Sequence, residues 1–440
     1  MVPASPAPFV PPTPPAEVIT ATWRSESARL IGALTRMTRD IQLAEDLAQD
    51  ALVAALEQWP EQGVPHNAGA WLMTTAKRRA VDHVRRADTL RRKTDAIGRS
   101  LSEEDPMPDL DSQVDFIEDD VLRLIFLTCH PLLTPESRAA LTLRLVGGLT
   151  TAEIARGFLV AESAMGQRIS RAKKTLSDAA AVFDVPTGKD RHRRLDDVMA
   201  VIYLIFNEGY SATEGQDWLR PELTAEAIRL ARMLAALIPD EPEVHGLLAL
   251  LELQASRNHA RTDSDGNAVL LDDQDRTLWD ELLIRRGLAA LAAAEQLAAR
   301  GKPVGRYYLQ GAIAAQHARA ATAEETEWPI IAALYDALAT AAPGPIVEIN
   351  RAVAHGRAFG PEDGLAVLDD LPEDTLSGSH LLPAVRGDLL ARAGRHADAV
   401  ALFHRAAELT RNDQEQALLL NRADEATQRA HNPGCSQGGK

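Results

Sequence analysis

The sequence has few cysteines and few aromatic residues. Only Cys129 and Cys435 occur among 440 residues. Two cysteines cannot build a disulfide framework or a cysteine zinc cluster, so we expect a cytoplasmic protein in a reducing environment. Aromatic residues make up 4% of the chain, whereas Ala, Leu, Arg and the acidic residues are frequent. This composition favours helices over sheet, and the length favours several domains, so we expect an all-α fold.

Long apolar runs and the common nucleotide-binding and nucleophile motifs are also missing. No apolar run approaches the length that spans a membrane, and the N-terminus has no basic-then-apolar signal pattern. The chain contains no glycine-rich phosphate loop and no nucleophile elbow. We therefore expect no membrane partner, no catalytic residue and no cofactor.

The net charge of −16 is distributed unevenly along the chain. Residues 1–194 carry 25 Lys and Arg against 26 Asp and Glu, whereas residues 195–440 carry 22 against 37. Residues 101–120 alone hold nine acidic residues and no Lys or Arg. Two mildly basic segments are thus joined by an acidic one and followed by an acidic half. Only the basic segments have the charge expected of a DNA-binding surface.

Residues 150–176, TTAEIARGFLVAESAMGQRISRAKKTL, have the pattern of a helix-turn-helix. Thr150 and Glu153 have capping-box spacing, which predicts a short helix that ends near Gly157, before an apolar turn at 159–160. The second helix has an apolar face of Met165, Ile169, Ala172 and Leu176, with Gln167, Arg168, Arg171 and Lys174 on other faces. Such a helix fits the major groove of DNA, although an ordinary helical hairpin with a solvated face has the same pattern.

The segment upstream predicts three helices, of which the third is strongly basic. The first helix covers residues 17–37, and the second runs from its N-cap Asp40 to about Trp59. A loop at 60–67 separates it from the third helix, which runs from Ala68 to Arg86. The second helix carries Glu45, Asp46, Gln49 and Asp50 opposite its apolar face, which alone is typical of a solvated surface. Eight Lys and Arg residues lie within 77–93, a density suited to phosphate contacts. Trp71 is more typical of a core residue than of a base-stacking one.

Together these residues resemble a known family. AEDLAQDALVAALEQW followed by GAWLMTTAKRRAVDHVRR is similar to region 2 of bacterial sigma factors. LTPESRAALTLRLVGGLTTAEIARGFLVAESAMGQRISRAKKTL is similar to region 4. The two motifs in this order, with an acidic linker between them, resemble the extracytoplasmic-function (ECF) group of the sigma-70 family. YLIFNEGY at 203–210 and YYLQGAIAAQHA at 307–318 resemble the subgroup with a long, tetratricopeptide-like helical extension.

The resemblance implies a domain organisation and a non-catalytic role in transcription initiation. The expected domains are a disordered arm at 1–16, sigma region 2 at 17–95, an acidic linker at 96–120, sigma region 4 at 121–185, a helical extension at 195–430 and a disordered tail at 431–440. The implied partners are core RNA polymerase, through its β′ and β subunits, and promoter DNA. A regulatory protein that binds the extension is a further candidate partner.

The resemblance also implies roles for individual residues. The residues expected to bind core polymerase are Asp46, Gln49 and Asp50. Those expected to melt and read the −10 element are Trp71, Thr75, Arg78, Arg79, Asp82, His83 and Arg86. Arg78 stands where many members carry Asn, so the family's pocket and base preference do not carry over at this position. Those expected to bind the −35 element are Glu162, Ser163, Gln167, Arg168, Arg171, Lys173 and Lys174, the two lysines as phosphate contacts.

The C-terminal half reads as stacked helices. LLARAGRHADAVALFHRAAEL has the small-residue pattern of a tetratricopeptide helix pair, broken at Gly394-Arg395, but no strict period of 34 residues emerges. Such an array either docks a protein or only stabilises its neighbour. The half also contains a dense polar set that fits a buried hydrogen-bond network as well as a metal site: Arg257, His259, Arg261, Asp272, Gln274, Asp275, Tyr307, Gln310 and His317.

Two other functions remain open at this stage. A helix-turn-helix regulator with a ligand- or protein-sensing helical domain would share the second basic segment, but it has no use for a polymerase-binding helix. An enzyme with an appended DNA-binding module would need a bound metal or cofactor. Cys129 lies at the end of the apolar run 121–128, where a core cysteine is more typical than a nucleophile.

Overall fold

A computed structural model describes residues 15–95, 117–158, 160–210, 221–263, 269–372, 376, 378–410 and 413–431. These residues form eighteen α-helices and three short 3-10 helices, and no strand occurs among them. The prediction of an all-α fold is confirmed. The chain divides into two compact units, at residues 1–201 and 202–440. The predicted arm and tail, apart from a few residues at their inner ends, and most of the acidic linker lie outside the described residues.

The first unit contains seven helices and the start of an eighth. They are α1 (Pro15–Thr38), α2 (Ile41–Gln62), α3 (Ala68–Asp95), α4 (Ile117–Thr128), α5 (Pro135–Leu145), α6 (Thr151–Gly157), α7 (Glu162–Asp178) and α8 (Gly188–Tyr210). Helix α1 packs against α2, α3 and α4, and α5 packs against α7. Helix α8 begins at Gly188, before the expected start of the extension at 195. Its residues up to Val201 belong to the first unit.

The boundaries of α2 show which local signals act. The Asp40 carboxylate accepts hydrogen bonds from the backbone N–H groups of Gln42 and Leu43, as its position before the helix predicts. The helix continues through Pro60, where we expected a loop, and ends at Gly63. Gly63 has φ of +85°, a conformation that glycine adopts without steric cost, and its N–H bonds the Trp59 carbonyl.

Helix α4 begins within the segment we expected to be linker. The predicted linker extends to residue 120, but residues 117–120 already form the first turn of α4. The Asp120 side chain is 1% exposed and pairs with Arg36 of α1 and Arg123 of α4, at 2.9 Å each. The sequence placed Asp120 in the acidic linker, because Arg123 lies outside the acidic run and Arg36 is 84 residues away.

The second unit contains ten further helices. They are α9 (Pro221–Leu237), α10 (Pro242–Ala255), α11 (Glu281–Ala299), α12 (Arg306–Arg319), α13 (Trp328–Ala341), α14 (Pro345–Ala358), α15 (Pro361–Asp369), α16 (Leu381–Arg392), α17 (His396–Leu409) and α18 (Asp413–His431). Three 3-10 helices, at Asn258–Ala260, Leu271–Asp273 and Arg276–Leu278, lie between α10 and α11. Consecutive helices of this unit pack on one another.

The predicted tetratricopeptide-like pair corresponds to α16 and α17. Gly394, with φ of +78°, lies in the turn between the two helices. Phe403 and Leu389 are buried in a core that continues into α18, whereas Leu382 and Val385 are only partly buried. The pair therefore forms where the small-residue pattern placed it.

Candidate nucleic-acid interface

The helix-turn-helix of the first unit has the predicted cap. The Thr150 hydroxyl accepts a hydrogen bond from the Glu153 N–H at 3.2 Å, and the Glu153 carboxylate accepts from the Thr150 N–H at 2.8 Å. Burial alone would raise the pKa of Glu153, but the hydrogen bonds from Thr150 and the charge of Arg24 outweigh it and lower the pKa. This reciprocal pair fixes the start of α6.

The second helix, α7, buries the predicted apolar face. Met165, Ile169, Ala172 and Leu176 are all buried. The residues expected at the −35 element fall into two groups. Arg168 and Lys173 are partly buried. The other five are exposed: Glu162, Ser163, Gln167, Arg171 and Lys174. The exposed group forms a polar surface opposite the buried face, the arrangement that a major-groove helix needs.

Lys173 differs from the other residues of this set. Its ammonium group lies 2.7 Å from the Glu45 carboxylate of α2, and its side chain is only 11% exposed. Arg144 of α5 pairs with the same carboxylate at 2.8 Å. The role of Lys173 as a phosphate contact stays a prediction, because Glu45 neutralises its charge within the first unit.

Glu45 itself corrects one expectation about α2. We placed it with Asp46, Gln49 and Asp50 on a solvated face, but its side chain is 4% exposed. Glu45 accepts a hydrogen bond from the Gln49 amide at 2.7 Å, which orients the neighbouring side chain. We call Glu45, Arg144 and Lys173 the carboxylate clamp.

The remaining expected polymerase-binding residues lie together on α2. Asp46 and Asp50 are exposed and Gln49 is partly buried. Asp46 accepts a hydrogen bond from Gln42 at 3.0 Å, and Asp50 pairs with Arg79 of α3 at 3.3 Å. One turn further along, Val53 and Leu56 are about half exposed, at 50% and 48%. Sequence reasoning missed these two apolar residues, although their spacing from Gln49 places them next to it on the helix.

Helix α3 presents the expected −10 residues along its length. Arg78, Asp82, His83 and Arg86 are exposed, while Trp71, Thr75 and Arg79 are partly buried. The Trp71 ring meets the buried Trp59 edge to face at 5.4 Å, so one side of it belongs to the core. Arg79 is held by Asp50. The structure therefore brings the two sets of expected residues on α2 and α3 into contact.

Regions 2 and 4 pack on each other within the first unit. Besides the carboxylate clamp, Arg24 of α1 pairs with Glu153 of α6 at 2.7 Å, and the Trp23 indole N–H donates to the Gly148 carbonyl at 3.2 Å. A groove of about 650 Å³ remains between them, lined by Arg36, Arg39, Ile41, Leu127, Leu176 and Phe183 among others. The two regions thus form a single compact body.

Other candidate sites are accounted for by packing. Cys129 is buried against Thr142, and burial raises the pKa of its thiol to about 11, so it is not a thiolate at neutral pH. Among the residues that the structure describes, no three His, Cys, Asp or Glu side chains are gathered as metal ligands would be. Within the same residues, no helix is both long enough and apolar enough to cross a lipid bilayer.

Comparison with known proteins identifies the two regions. A family model described as "Sigma-70 region 2" matches residues 23–89, and one described as "Sigma-70, region 4" matches residues 123–176. The chain belongs to the ECF group of the sigma-70 family. Sigma factors are non-enzymatic initiation factors, and membership of this family implies association with core RNA polymerase and promoter DNA. A "Family of unknown function (DUF6596)" matches residues 194–295, within the extension of this sigma factor.

Several known proteins are similar to this sigma factor. "Uncharacterized protein R00370" of Rhizobium meliloti is 42% identical over 91% of this chain and 94% of its own length. "Probable ECF RNA polymerase sigma factor SigI" of Mycobacterium tuberculosis is 27% identical over 39% of this chain and 59% of its own length. "ECF RNA polymerase sigma factor SigK" of Mycolicibacterium vanbaalenii is 32% identical over 32% of this chain and 70% of its own length.

Proposed function

We propose that this sigma factor directs core polymerase to promoters by melting the −10 element with α3 and reading the −35 element with α7. The observation that carries this proposal is the polar surface of α7, where Gln167 and Arg171 are exposed opposite a fully buried apolar face. Both side-chain types recognise base edges in the major groove, and an arginine also reaches phosphates.

The −10 element is assigned to α3 by its charge. Arg78 and Arg86 are exposed, and His83 lies between them in the sequence. Opening a duplex costs stacking free energy at each step, so the separated strand needs a cationic surface and an aromatic edge to hold it. The partly exposed Trp71 supplies the aromatic edge in this proposal, and Thr75, Arg79 and Asp82 complete the surface.

We assign the binding of core polymerase to α2. The β′ subunit is the proposed partner of Asp46, Gln49 and Asp50, and the β subunit completes the interface. The half-exposed Val53 and Leu56 extend this surface. Exposed aliphatic side chains beside acidic ones are typical of a protein interface, in which an apolar centre is surrounded by polar contacts.

Simultaneous reading of both elements requires regions 2 and 4 to separate. The −10 and −35 elements lie about 25 base pairs apart, which is roughly 80 Å of duplex. A compact body of this size has a diameter of about 40 Å. The packed arrangement of the first unit therefore cannot reach both elements at once, and opening it would release Lys173 from Glu45.

The domain limits proposed above need one adjustment for experiments on the extension. A truncation after Arg194 would remove Asp197, which pairs with Arg138 at 2.9 Å, and the buried Val198. We propose that the extension regulates transcription. A chain ending at Val201 keeps these contacts, and its output should differ from that of the full chain.

In vitro transcription with purified core polymerase tests the proposed function. Full-length protein should yield promoter-specific transcripts, and Arg171→Ala should reduce output from promoters that depend on the −35 element at least several-fold. Arg193→Ala, which removes a 73% exposed arginine from α8, is the matched control. If the protein gave no promoter-specific transcript but bound operator DNA tightly by itself, a helix-turn-helix regulator would replace this proposal.

A further inference from the structure

Aromatic and arginine side chains are gathered in the middle of the second unit. All five tyrosines of the chain lie between residues 203 and 335, although the whole sequence is poor in aromatics. Tyr203 meets Tyr307 edge to face at 5.7 Å, and Tyr210 stacks on Phe206 at 5.1 Å. Part of the polar set that the sequence marked in this half lies among them.

Six of these side chains form one connected group. The Arg276 guanidinium lies 5.0 Å from the centre of the Trp279 ring, and that of Arg257 lies 5.9 Å from it. Arg276 also donates to the His317 carbonyl at 2.7 Å. The His317 ring meets Trp328 edge to face at 5.4 Å, and Arg357 lies over Trp328 at 4.7 Å. We call this group the arginine belt; its members are Arg257, Arg276, Trp279, His317, Trp328 and Arg357.

Within the described part of the chain, two arginines of the arginine belt have only neutral hydrogen-bond partners. Among the described residues, the hydrogen bonds of Arg257 go to neutral groups, the Tyr210 hydroxyl at 2.6 Å and the Gln254 amide oxygen. Those of Arg276 go to two backbone carbonyls and the Thr326 hydroxyl. Asp272 pairs with Arg357 at 2.6 Å, and the negative charges of Asp272, Glu324 and Glu325 also act on Arg276.

His317 lies close enough to all three belt arginines to be affected by their charges. Burial, reinforced by the charges of Arg257, Arg276 and Arg357, lowers the pKa of His317 to about 4. The imidazole is therefore neutral at physiological pH, and a protonated ring would add a further positive charge. Arginine side chains without an acidic hydrogen-bond partner attract anions.

Among the described residues, two belt side chains have a buried polar atom without a hydrogen-bond partner: His317 at Nδ1 and Trp279 at Nε1. Trp279 is 5% exposed, and within the part of the chain that the structure describes its indole N–H has no hydrogen-bond partner. A buried N–H without an acceptor is costly, so such a group in a native fold needs an explanation. The remaining five belt side chains are partly exposed, which leaves the group reachable from solvent.

We propose that the arginine belt binds a small organic anion, either a carboxylate or a phosphate ester. Planar guanidinium groups donate two parallel hydrogen bonds to such oxygens. A small ligand fits better than a macromolecule because no belt side chain is fully exposed. The anion would neutralise Arg257 and Arg276 and give the Trp279 N–H an acceptor. An effect of the anion on transcription would follow only if the extension has the regulatory role proposed above. The binding of the anion does not depend on that role.

Calorimetric titration of the full-length protein tests the proposal, with inorganic phosphate and with benzoate as probes at constant ionic strength. We expect saturable binding of at least one probe: phosphate alone would indicate a phosphate ester as ligand, and benzoate alone a carboxylate. Arg257→Met should weaken binding about tenfold or more, because a charge-assisted hydrogen bond is lost while no carboxylate is stranded. Trp279→Phe, which keeps a ring but removes the N–H, should weaken it several-fold.

Arg300→Met is the matched control, because it removes an exposed arginine from the same unit. Circular dichroism establishes that each variant is folded, and if Arg257→Met does not fold, Trp279→Phe decides. Absence of saturable binding by both probes would overturn the proposal, as would equal affinities in the wild type and the folded belt variants. The titration contains neither polymerase nor DNA, so its failure would leave the transcription assay unaffected.

Discussion

A single carboxylate, that of Glu45, holds two cations that lie far from it in the sequence. Arg144 and Lys173 are 99 and 128 residues away, and both donate to it. Burying a charge costs several kcal/mol unless partners compensate it, so the three side chains stabilise the unit only together. The carboxylate clamp is thus a joint between regions 2 and 4 rather than a surface ion pair.

Glu45→Gln should destabilise the first unit by about 2 kcal/mol, because it leaves two largely buried cations without their counter-charge. The measurement is urea unfolding of the full-length protein, followed by tryptophan fluorescence. Asp46→Asn, on the exposed side of the same helix, is the control and should change stability by less than about 0.5 kcal/mol. Equal effects of the two substitutions would show that the clamp contributes nothing.

His317 should make the stability of the second unit depend on pH. In the unfolded chain its pKa returns to about 6.5, whereas in the folded chain it is about 4. The unfolded state therefore binds more protons between these values, and the contribution is complete above pH 6.5 and is lost as the pH falls towards 4. At pH 5 the loss should be about 2 kcal/mol relative to pH 7.

His317→Gln, which does not titrate, provides the reference for that measurement. Urea unfolding of both proteins at pH 7 and pH 5 separates the contribution of His317 from those of all other groups. The wild type should lose more stability than the variant between the two pH values. An identical loss in both would mean that the imidazole titrates normally in the folded chain.

At the scale of single elements, the helix-turn-helix depends on its capping box. Thr150→Ala removes the hydroxyl that accepts from the Glu153 N–H and should cost about 1 kcal/mol. The midpoint of thermal unfolding should fall accordingly, and DNA binding through α7 should weaken in parallel. Thr175→Ala is a suitable control, because the Thr175 hydroxyl bonds only the Arg171 carbonyl within α7. A larger effect from Thr175→Ala would contradict the role given to the cap.

Elements whose signals are local could be predicted from the sequence. Asp40 and the Thr150–Glu153 pair lie at the start of the helices they cap, and the apolar face of α7 lies within that helix. The structure contains all three as predicted. The first turn of α4 was not predicted, because the partner of Asp120 on α1 is 84 residues away. Packing at such distances leaves no periodic trace in the sequence.

The candidate site shows the same division. The exposure of Gln167 and Arg171 follows from the helical period, so the sequence predicted it. The burial of Glu45 does not, because an acidic residue beside Asp46 and Asp50 looks like part of a solvated face. The arginine belt was predicted only in part. Arg257 and His317 belong to the polar set that the sequence marked, as does Arg276's neighbour Asp275, but the other members lie on separate loops and helices, and only the fold brings all six together.

At the scale of the whole molecule, we predict that the distance between regions 2 and 4 increases when the promoter complex forms. Donor and acceptor dyes attached at Gln58→Cys and Thr175→Cys, in a Cys435→Ser background, report the separation of regions 2 and 4; both positions are exposed and the remaining Cys129 is buried. Energy transfer should be high in the free protein and fall on promoter-complex formation, because the two elements lie roughly 80 Å apart. Unchanged transfer would contradict the opening.

The carboxylate clamp has a consequence for sigma factors assembled from parts. Regions 2 and 4 are natural units to exchange when promoter specificity is redesigned. A chimera that takes region 2 from a relative without an acid at the position of Glu45 would inherit Arg144 and Lys173 unneutralised. The two cations would repel each other at this contact, and the two halves would lose the ion pairs that join them. Transplanting specificity between such proteins is therefore a three-residue exchange, in which the receiving half must be matched in charge before its DNA-reading residues are chosen.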